Sequence, residues 1–407
     1  MEWDLPYLNE EQKSLVMLMK EFCEREVDIK SLNELADKPL PPNATWSELR
    51  SRVPWDLISK AHDAGLRQLS VPEEYGGGGY GSDWLALGAC AETAGYYGGQ
   101  MGRIFTIIWK QLANMQYWPK SVQEEVYPVF MKDRKTLVAA SITEPDHGSD
   151  LLLPYDVPGG AGKFFARQEG DEWILNGEKM YCEAGGVASY IVLNVRTEPK
   201  GPITKSITTF LVPTNTPGWS IRVNDMMGNE IFPNVQQIYN NCRIPDRLRI
   251  TPINGGYEAM ASRFAGLSIH YFAIAGWAER TWDDMKEYAK TRIQGGKPII
   301  QHINVGTMLA EADALLRTLR LLLYQNAWEC RSQGEIITPL GFFYISWYAK
   351  KVITRLVEIG FEVYGGMAPQ KEHMFEHWVR VHLSGLHGGS TGILNLVKAA
   401  NYLSGQT

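Results

Sequence analysis

Few cysteines occur in this sequence, and they form neither a disulfide framework nor a metal motif. There are five, scattered along the chain, and no two make a C-x-x-C pair. An odd number of dispersed cysteines favours free thiols in a reducing compartment. No apolar run approaches the roughly 18 residues that a membrane span requires, and the first residues lack the basic and apolar regions of a secretory signal. We therefore expect a cytoplasmic protein that makes no membrane contact.

Blocks of basic residues are also missing. The 407 residues carry a formal net charge of −6, with 21% charged and 44% hydrophobic residues. No Lys- or Arg-rich stretch alternates with aromatic residues, so nucleic acid is not an expected partner. The composition is that of an ordinary globular protein, and the length suggests about two to three domains with sizeable cores.

The hydrophobic periodicity changes twice along the chain. Residues 1–135 and 251–407 have apolar residues at helical spacing, whereas 136–250 contain short apolar runs separated by Pro and Gly turns. These ranges are the three predicted domains. The predicted helices cover 10–26, 55–64, 84–94, 105–117, 267–290, 303–331 and 340–364, and the predicted strands cover 137–140, 172–175, 190–193, 207–212 and 237–239. Asn176-Gly177, directly after the second of these strands, predicts a hairpin turn.

One loop in the strand region has an unusual density of polar groups. Residues 141–150 follow an apolar run and read Ser-Ile-Thr-Glu-Pro-Asp-His-Gly-Ser-Asp. Pro145 and Gly148 break the chain into a turn that presents hydroxyls, a carboxylate and free backbone N–H groups. Such a turn suits a polar ring system or a phosphate.

Two other patterns have a plainer interpretation. His373-Met-Phe-Glu-His377 matches H-x-x-E-H, but no acid follows Glu376 to complete a zinc site. We therefore predict no metal and interpret these as helix-surface histidines.

Arg103 lies among apolar residues, where an arginine usually ends a helix or joins an interface. Otherwise it faces a cavity and holds an anionic group by bidentate hydrogen bonds.

Several short segments, in a fixed order, resemble those of one known family. They are 71–77 (VPEEYGG), 142–149 (ITEPDHGS), 175–179 (LNGEK), 227–228 (MG), 242–245 (CRIP), 288–292 (YAKTR) and 363–366 (VYGG), followed by Glu376 and Arg380. Each is weak alone, but their order and spacing over nearly the whole chain are specific. The chain resembles the acyl-CoA dehydrogenases. The resemblance implies an α+β protein that is mainly α, with an N-terminal helical domain, a middle β-barrel-like domain and a C-terminal four-helix bundle.

The chemistry of that family sets the expectations for function. An acyl-CoA thioester lies against FAD, a glutamate removes the α-proton, and the β-hydrogen leaves as hydride. A carboxylate is needed because the α-proton is weakly acidic. The resemblance further implies a homo-oligomer, either a dimer or a tetramer, and leaves room for an electron-transfer partner.

The same resemblance assigns roles position by position. Thr143 should meet the flavin pyrimidine edge, and Ser149 should lie near the phosphates of FAD or CoA. Arg292 should reach the FAD of a neighbouring subunit. The predicted FAD contacts are Thr143, Gly148, Ser149, Tyr181, Glu183, Arg292, Gly365, Gly366 and Thr391, and the predicted substrate contacts are Arg103, Ser149 and Arg263.

The catalytic glutamate is the part of the family pattern that this sequence lacks. The family usually reads Tyr-Glu-Gly-Thr where this chain has Gly-Gly-Ser-Thr at 388–391, so Gly389 occupies the base position. Glu376 is the last acid in the chain. Some relatives carry the base on an early bundle helix beside an arginine. Here the acid nearest to Arg263 is Glu258, five positions back, which makes it a poor candidate.

A second departure lies beside the expected flavin. The family's Trp-Ile-Thr becomes Tyr-Cys-Glu at 181–183, so a carboxylate matches the threonine hydroxyl that hydrogen-bonds the flavin. An ionised Glu183 would oppose the negative charge of a reduced flavin.

Three explanations stay open. Ordinary dehydrogenation could use an unusual proton acceptor, such as Glu183, His387 or a bound water. Alternatively, the scaffold could serve a lyase, hydratase or hydrolase with FAD absent or structural. Some relatives without the base release sulfinate instead of a proton, and there an arginine near the position of Arg103 holds the anionic tail. The third explanation is a base-lacking subunit of a hetero-oligomer. The predicted catalytic residues are Glu183, His387 and Arg103.

Overall fold

The computed structural model describes residues 7–157, 162–224, 226–227, 231–261, 268–332, 339–384, 386 and 391–405. Its N-terminal part is formed by helices. These helices are α1 (Glu10–Glu26), α2 (Ile29–Asp37), α3 (Trp46–Ser51), α4 (Trp55–Asp63), α5 (Trp84–Gly98), α6 (Gln100–Met115) and α7 (Lys120–Lys132).

Side-chain caps fix where α1 and α5 begin. The Asn9 side chain accepts the backbone N–H of Gln12, and the Gln12 side chain accepts the backbone N–H of Asn9. Gln12 also donates to Asp83 (Nε2–Oδ2, 2.8 Å), which caps α5 through the N–H of Ala86 (3.0 Å). These contacts join the starts of the two helices, and the predicted helix 10–26 is confirmed.

The middle part is one seven-stranded sheet. The strands are β1 (Val138–Ser141), β2 (Phe165–Glu169), β3 (Glu172–Cys182), β4 (Tyr190–Arg196), β5 (Ile207–Pro213), β6 (Trp219–Val223) and β7 (Val235–Pro245). β4 pairs with β5 along one edge and with β1 and then β2 along the other, and the order continues from β2 through β3 and β7 to β6. Every residue of β4 is buried, as expected for a strand that is covered on both faces.

The hairpin predicted at Asn176-Gly177 is wrong. β3 runs through both residues and pairs there with β7 across a register shift. A Cβ at Gly177 would lie 2.5 Å from Cγ of Phe164, so the glycine permits close packing at a bulge and makes no turn. The turn between β2 and β3 falls instead at Gly170-Asp171, where Gly170 has φ +63°.

The C-terminal part is helical again, apart from a short hairpin of β8 (Ile293–Gln294) and β9 (Lys297–Pro298). The C-terminal helices are α8 (Gly256–Ala261), α9 (Ile269–Thr291), α10 (Ile303–Ser332), α11 (Leu340–Tyr364), α12 (Met374–Ser384) and α13 (Gly392–Leu403). Of these, α9, α10, α11 and α13 pack against one another as a bundle.

Two glycines let the N-terminal helices approach the bundle closely. A Cβ at Gly276 of α9 would lie 1.9 Å from the carbonyl oxygen of Glu92 in α5, and one at Gly95 of α5 would lie 2.1 Å from that of Ala273 in α9. The two helices therefore cross at backbone contact, which only glycine permits at these positions.

The predicted fold class is confirmed, with helical N- and C-terminal parts and a curled sheet between them in sequence. Helix changes to strand between Lys132 and Val138, and strand to helix between Pro245 and Gly256. The predicted domain limits at 135/136 and 250/251 lie in these two connections. Within the described ranges, no helix is both long and apolar enough to cross a membrane.

Candidate active site

A cavity of about 1000 Å³ lies where the three parts of the chain meet. Its walls come from α6, from the loop after β1, from the end of β3 and from helices of the C-terminal part. Widely separated segments therefore bring most of the predicted site residues together. Those at the wall are Arg103, Thr143, Gly148, Ser149, Tyr181, Glu183 and Thr391.

A buried ion pair fixes the loop after β1. Lys179 of β3 donates from Nζ to Glu144 Oε1 (2.9 Å) and to the carbonyl of Ile142 (2.6 Å), and neither charged side chain is more than 4% exposed. The second carboxylate oxygen of Glu144 accepts the backbone N–H of Lys163 (2.6 Å). The loop is thus held against β3, and it presents Thr143 to the cavity.

A strained turn at the end of β3 positions Glu183. Tyr181 and Ala184, which flank it, have φ of +56° and +60°, a region that costs non-glycine residues of order 1 kcal/mol. Oε1 of Glu183 accepts from both Nε (2.6 Å) and Nη2 (2.5 Å) of Arg103 on α6. A cation and an anion from two domains are therefore joined at the cavity wall.

Sequence reasoning missed a polar face on α6. Lys110, Gln111 and Asn114 line the cavity, and their spacing places them on the same side of the helix as Arg103. Most of the other residues of α6 are buried and apolar. The signal was present in the sequence as polar residues at helical spacing within an apolar helix.

The cavity-lining residue Gln100 is held in one orientation. Its Oε1 accepts the N–H of Ile231 (3.1 Å), so its Nε2 donates to Nε2 of His377 (3.1 Å), whose Nδ1 donates to Asp37 Oδ2 (3.1 Å). Burial lowers the pKa of His377, although Asp37 opposes that shift. The imidazole is therefore neutral, with its proton on Nδ1. The interpretation of His377 as a surface histidine is wrong, because it is 4% exposed and both ring nitrogens are engaged.

His382 is a second buried histidine at the cavity. It packs edge-on against Trp277, with ring centroids 5.2 Å apart. Burial lowers the pKa of His382 to about 3, so the ring is neutral at ordinary pH. Its Nε2 is buried and has no hydrogen-bond partner among the described residues.

Two carboxylates belong to the described part of the cavity wall, those of Glu183 and Glu258. Glu258 lies on α8 and is exposed, so an acid that the sequence made a poor candidate does reach the cavity. Glu376 instead accepts from Arg380 (2.7 Å). The predicted positions His387, Gly389 and Arg263 lie outside the described residues.

Cationic and hydroxyl groups line the C-terminal wall. Lys350 of α11 and Lys398 of α13 line the cavity, and burial lowers the pKa of each to about 8. Thr391 caps α13 by accepting the N–H of Leu394 (3.3 Å), which leaves its hydroxyl hydrogen available to a ligand.

Three predicted FAD contacts lie away from this cavity. Arg292, Gly365 and Gly366 are all exposed. Arg292 follows α9 and Gly365 follows α11, and the two helix ends are joined by ring contact between Tyr288 and Tyr364, with centroids 5.0 Å apart. The three residues therefore share one outer face, which leaves a role at a neighbouring subunit's FAD as a prediction.

Comparison with known protein families identifies a family domain in each of the three parts of the chain. Models of the N-terminal, middle and C-terminal domains of acyl-CoA dehydrogenases match residues 9–125, 139–242 and 254–403. The three matches follow one another in the order of the three structural parts. The chain belongs to the acyl-CoA dehydrogenase family.

Individual relatives are distant. The chain is 26% identical to the 3-(aryl)acrylate reductase of Clostridium sporogenes (strain ATCC 15579), over 94% of this chain and 99% of that protein. It is also 26% identical to the mitochondrial short-chain specific acyl-CoA dehydrogenase of Rattus norvegicus, over 91% and 88%. A solved FAD-dependent dehydrogenase matches with a TM-score of 0.83 at 22% identity, covering 99% of this chain and 100% of that one. At such identity the structural match shows the fold.

Proposed function

We propose that this chain is an FAD-dependent oxidoreductase that acts on an acyl-CoA thioester through a non-standard catalytic centre. The observation that carries the proposal is the Arg103–Glu183 pair at the wall of the cavity that the three family domains form. The mitochondrial relative is described as an acyl-CoA dehydrogenase and the structural neighbour as FAD-dependent, which supports both substrate class and cofactor.

The residues at the wall fit FAD. A volume of about 1000 Å³ accommodates a ring system together with a thioester. Thr143, Ser149 and Thr391 supply hydroxyls that would hold the polar edge and phosphates of FAD. Among the described residues other than its chain neighbours, a Cβ at Gly148 would meet only Cγ2 of Thr143, at 3.6 Å, so this stretch of the described wall has room for a flat ligand. FAD, when bound, supplies a two-electron acceptor for the hydride lost from the β-carbon.

Pairing with Arg103 reduces the charge repulsion that an ionised Glu183 would otherwise cause beside a reduced flavin. With Arg103 Nε and Nη2 within 2.6 Å of Glu183 Oε1, the two charges largely cancel. Glu183 therefore adds little repulsion toward a reduced flavin. The guanidinium also holds the carboxylate in one orientation, as a positioned proton acceptor requires.

In the proposed reaction, Glu183 takes the α-proton of the thioester. The β-hydrogen leaves with its electron pair, and a double bond forms between the two carbons. Arg103 is the positioning residue that holds Glu183. We further propose that the chain works as a homo-oligomer, with Arg292, Gly365 and Gly366 at a neighbour's FAD, and that a separate acceptor removes the electrons.

The visible spectrum of the purified protein tests the cofactor, and a panel of acyl-CoAs tests the reaction. We expect an absorption band of bound oxidised flavin that an acyl-CoA bleaches without oxygen, with an enoyl-CoA as product. Thioester conversion without flavin or acceptor would replace this proposal with the non-redox alternative. Turnover that appears only after a second chain is added would indicate a hetero-oligomer.

Two variants test the proton acceptor. Glu183→Gln should lower the rate of flavin bleaching at least about 100-fold, the contribution typical of general base catalysis. Glu258→Gln is the matched control, because it removes the other described carboxylate of the cavity while keeping its size. The assignment to Glu183 is wrong if Glu258→Gln is the slower variant or if Glu183→Gln bleaches at the wild-type rate.

A further inference from the structure

Three neighbouring polar side chains on α6 reach the cavity without a protein partner in the described ranges. Lys110, Gln111 and Asn114 line the wall, and none of their side chains makes a hydrogen bond or an ion pair with a described residue. Polar groups inside proteins are nearly always hydrogen-bonded. Gln111 is buried, and Lys110 and Asn114 are partly buried. A ligand that displaces water from this part of the cavity must therefore supply the hydrogen-bond partners of the three side chains.

The helix geometry brings the three side chains toward one point. Lys110 and Asn114 are four residues apart, and Gln111 and Asn114 are three apart, which places their Cβ atoms about 5–6 Å from each other. Arg103 lies on the same side of the helix, about 10 Å away along its axis. The three groups can thus contact a single small ligand group while the Arg103–Glu183 pair stands beside it.

The charges on this face of α6 determine which charge a bound ligand group should carry. Arg103 and Lys110 are cationic and Glu183, which binds Arg103, is anionic, so these five side chains together carry one net positive charge. Burial lowers the pKa of Lys110, whereas Glu183 raises it. An anion bound nearby would raise this pKa further and keep the amine protonated.

A carboxylate matches the hydrogen-bond donors on this face. An ammonium and two side-chain amides offer several N–H donors, and a carboxylate offers about four acceptor sites and no donor. Hydrogen bonds between a charged donor and a charged acceptor are also the strongest available. The hydroxyl groups proposed for FAD lie on other walls, in the loop after β1 and at the start of α13.

We infer that the α6 face formed by Lys110, Gln111 and Asn114 binds a carboxylate on the acyl group, so that the substrate is a carboxylated acyl-CoA. This inference rests on the proposed function and deepens it by naming the substrate class. Lys110 is a specificity-determining residue that pairs with the carboxylate, and the two amides complete its hydrogen bonds.

Calorimetric titration of the purified protein tests this inference without requiring turnover. The probes are succinyl-, glutaryl- and adipyl-CoA, each compared with the uncharged acyl-CoA of the same chain length. Wild type should prefer at least one carboxylated thioester, and Lys110→Met should lower that preference roughly tenfold or more. Lys110→Arg, which keeps the charge, should retain part of it. Lys132→Met, at an exposed lysine on α7, is the control and should retain all of it.

The outcomes separate the inference from the proposed function. If wild type binds no acyl-CoA, the proposed function itself fails. If it binds uncharged thioesters at least as tightly as carboxylated ones, only the inference is overturned. If Lys110→Met weakens both kinds equally or releases FAD, Lys110 serves the scaffold or the cofactor, and the inference is again overturned. Unchanged circular dichroism spectra verify that the variants fold.

Discussion

Lys179 lies 2.9 Å from Glu144 (Nζ–Oε1), and both side chains are buried. This pair fastens the cavity loop to β3, so loss of one partner leaves an uncompensated buried charge. We expect Lys179→Met to lower the free energy of unfolding by about 3–5 kcal/mol, as measured by urea denaturation. The variant should also lose affinity for FAD, because the loop that carries Thr143 is released.

The exposed pair between Lys163 and Asp146 is the control. Its N–O distance is 2.7 Å, shorter than that of the buried pair, but the side chains are 73% and 65% exposed. Lys163→Met should therefore leave the free energy of unfolding nearly unchanged. Equal losses in the two variants would mean that burial does not decide the strength of the Lys179–Glu144 contact.

The close crossing of α5 and α9 leads to a second prediction, which concerns stability. Since a Cβ at Gly276 would lie 1.9 Å from the carbonyl oxygen of Glu92, Gly276→Ala must push the helices apart. We expect a loss of about 3 kcal/mol in the free energy of unfolding. Gly366→Ala is the comparison, because a Cβ there would have no atom of the described residues within 4 Å apart from its chain neighbours. A fully stable Gly276→Ala protein would contradict the backbone contact.

Much of the fold could be predicted because local rules and tertiary structure agree. The helix at 10–26 has a side-chain cap at Asn9 and apolar residues at helical spacing, and 340–364 was predicted with the bounds that the structure has. The Asn176-Gly177 prediction failed because pairing with β7 and packing against Phe164 override a local turn preference.

The candidate site was only partly predictable. Family motifs placed Thr143, Ser149 and Glu183 at the cavity, but the contact of Glu183 with Arg103 joins residues 80 positions apart. The sequence did not identify Lys110 as a site residue, because a lysine in an apolar helix has the same pattern whether its side chain reaches solvent or a cavity. Only the position of α6 against the sheet and the bundle distinguishes the two.

Glu279 makes the stability depend on pH. Burial, and secondarily the neighbouring Glu92, raise its pKa to about 7 from 4.5. Arg320 compensates it weakly because it binds Glu92 at 2.5 Å and Glu279 only at 3.7 Å. As pH rises from about 4.5 to 7, the unfolded chain releases this proton while the folded protein retains it, so folding stability falls by up to about 1.4 kcal/mol per pH unit.

Glu279→Gln should remove this dependence. Thermal melting at pH 5 and pH 8 should show a smaller loss of stability for the variant than for wild type over the same interval. Glu329→Gln, on α10, is the comparison for a general charge effect. The interpretation is wrong if wild type and Glu279→Gln lose the same stability between the two pH values.

The two lysines at the C-terminal wall of the cavity should make ligand binding weaker as pH rises. Lys350 and Lys398 have pKa values lowered by burial to about 8, so each carries a positive charge below pH 8 and loses it above. The affinity for an anionic CoA thioester should therefore fall between pH 7 and 9. Lys398→Met should bind more weakly at pH 7 and show a flatter profile, whereas Lys132→Met should follow wild type. A wild-type dissociation constant that stays constant from pH 7 to 9 would show that these two amines lie too far from the bound anion to influence it.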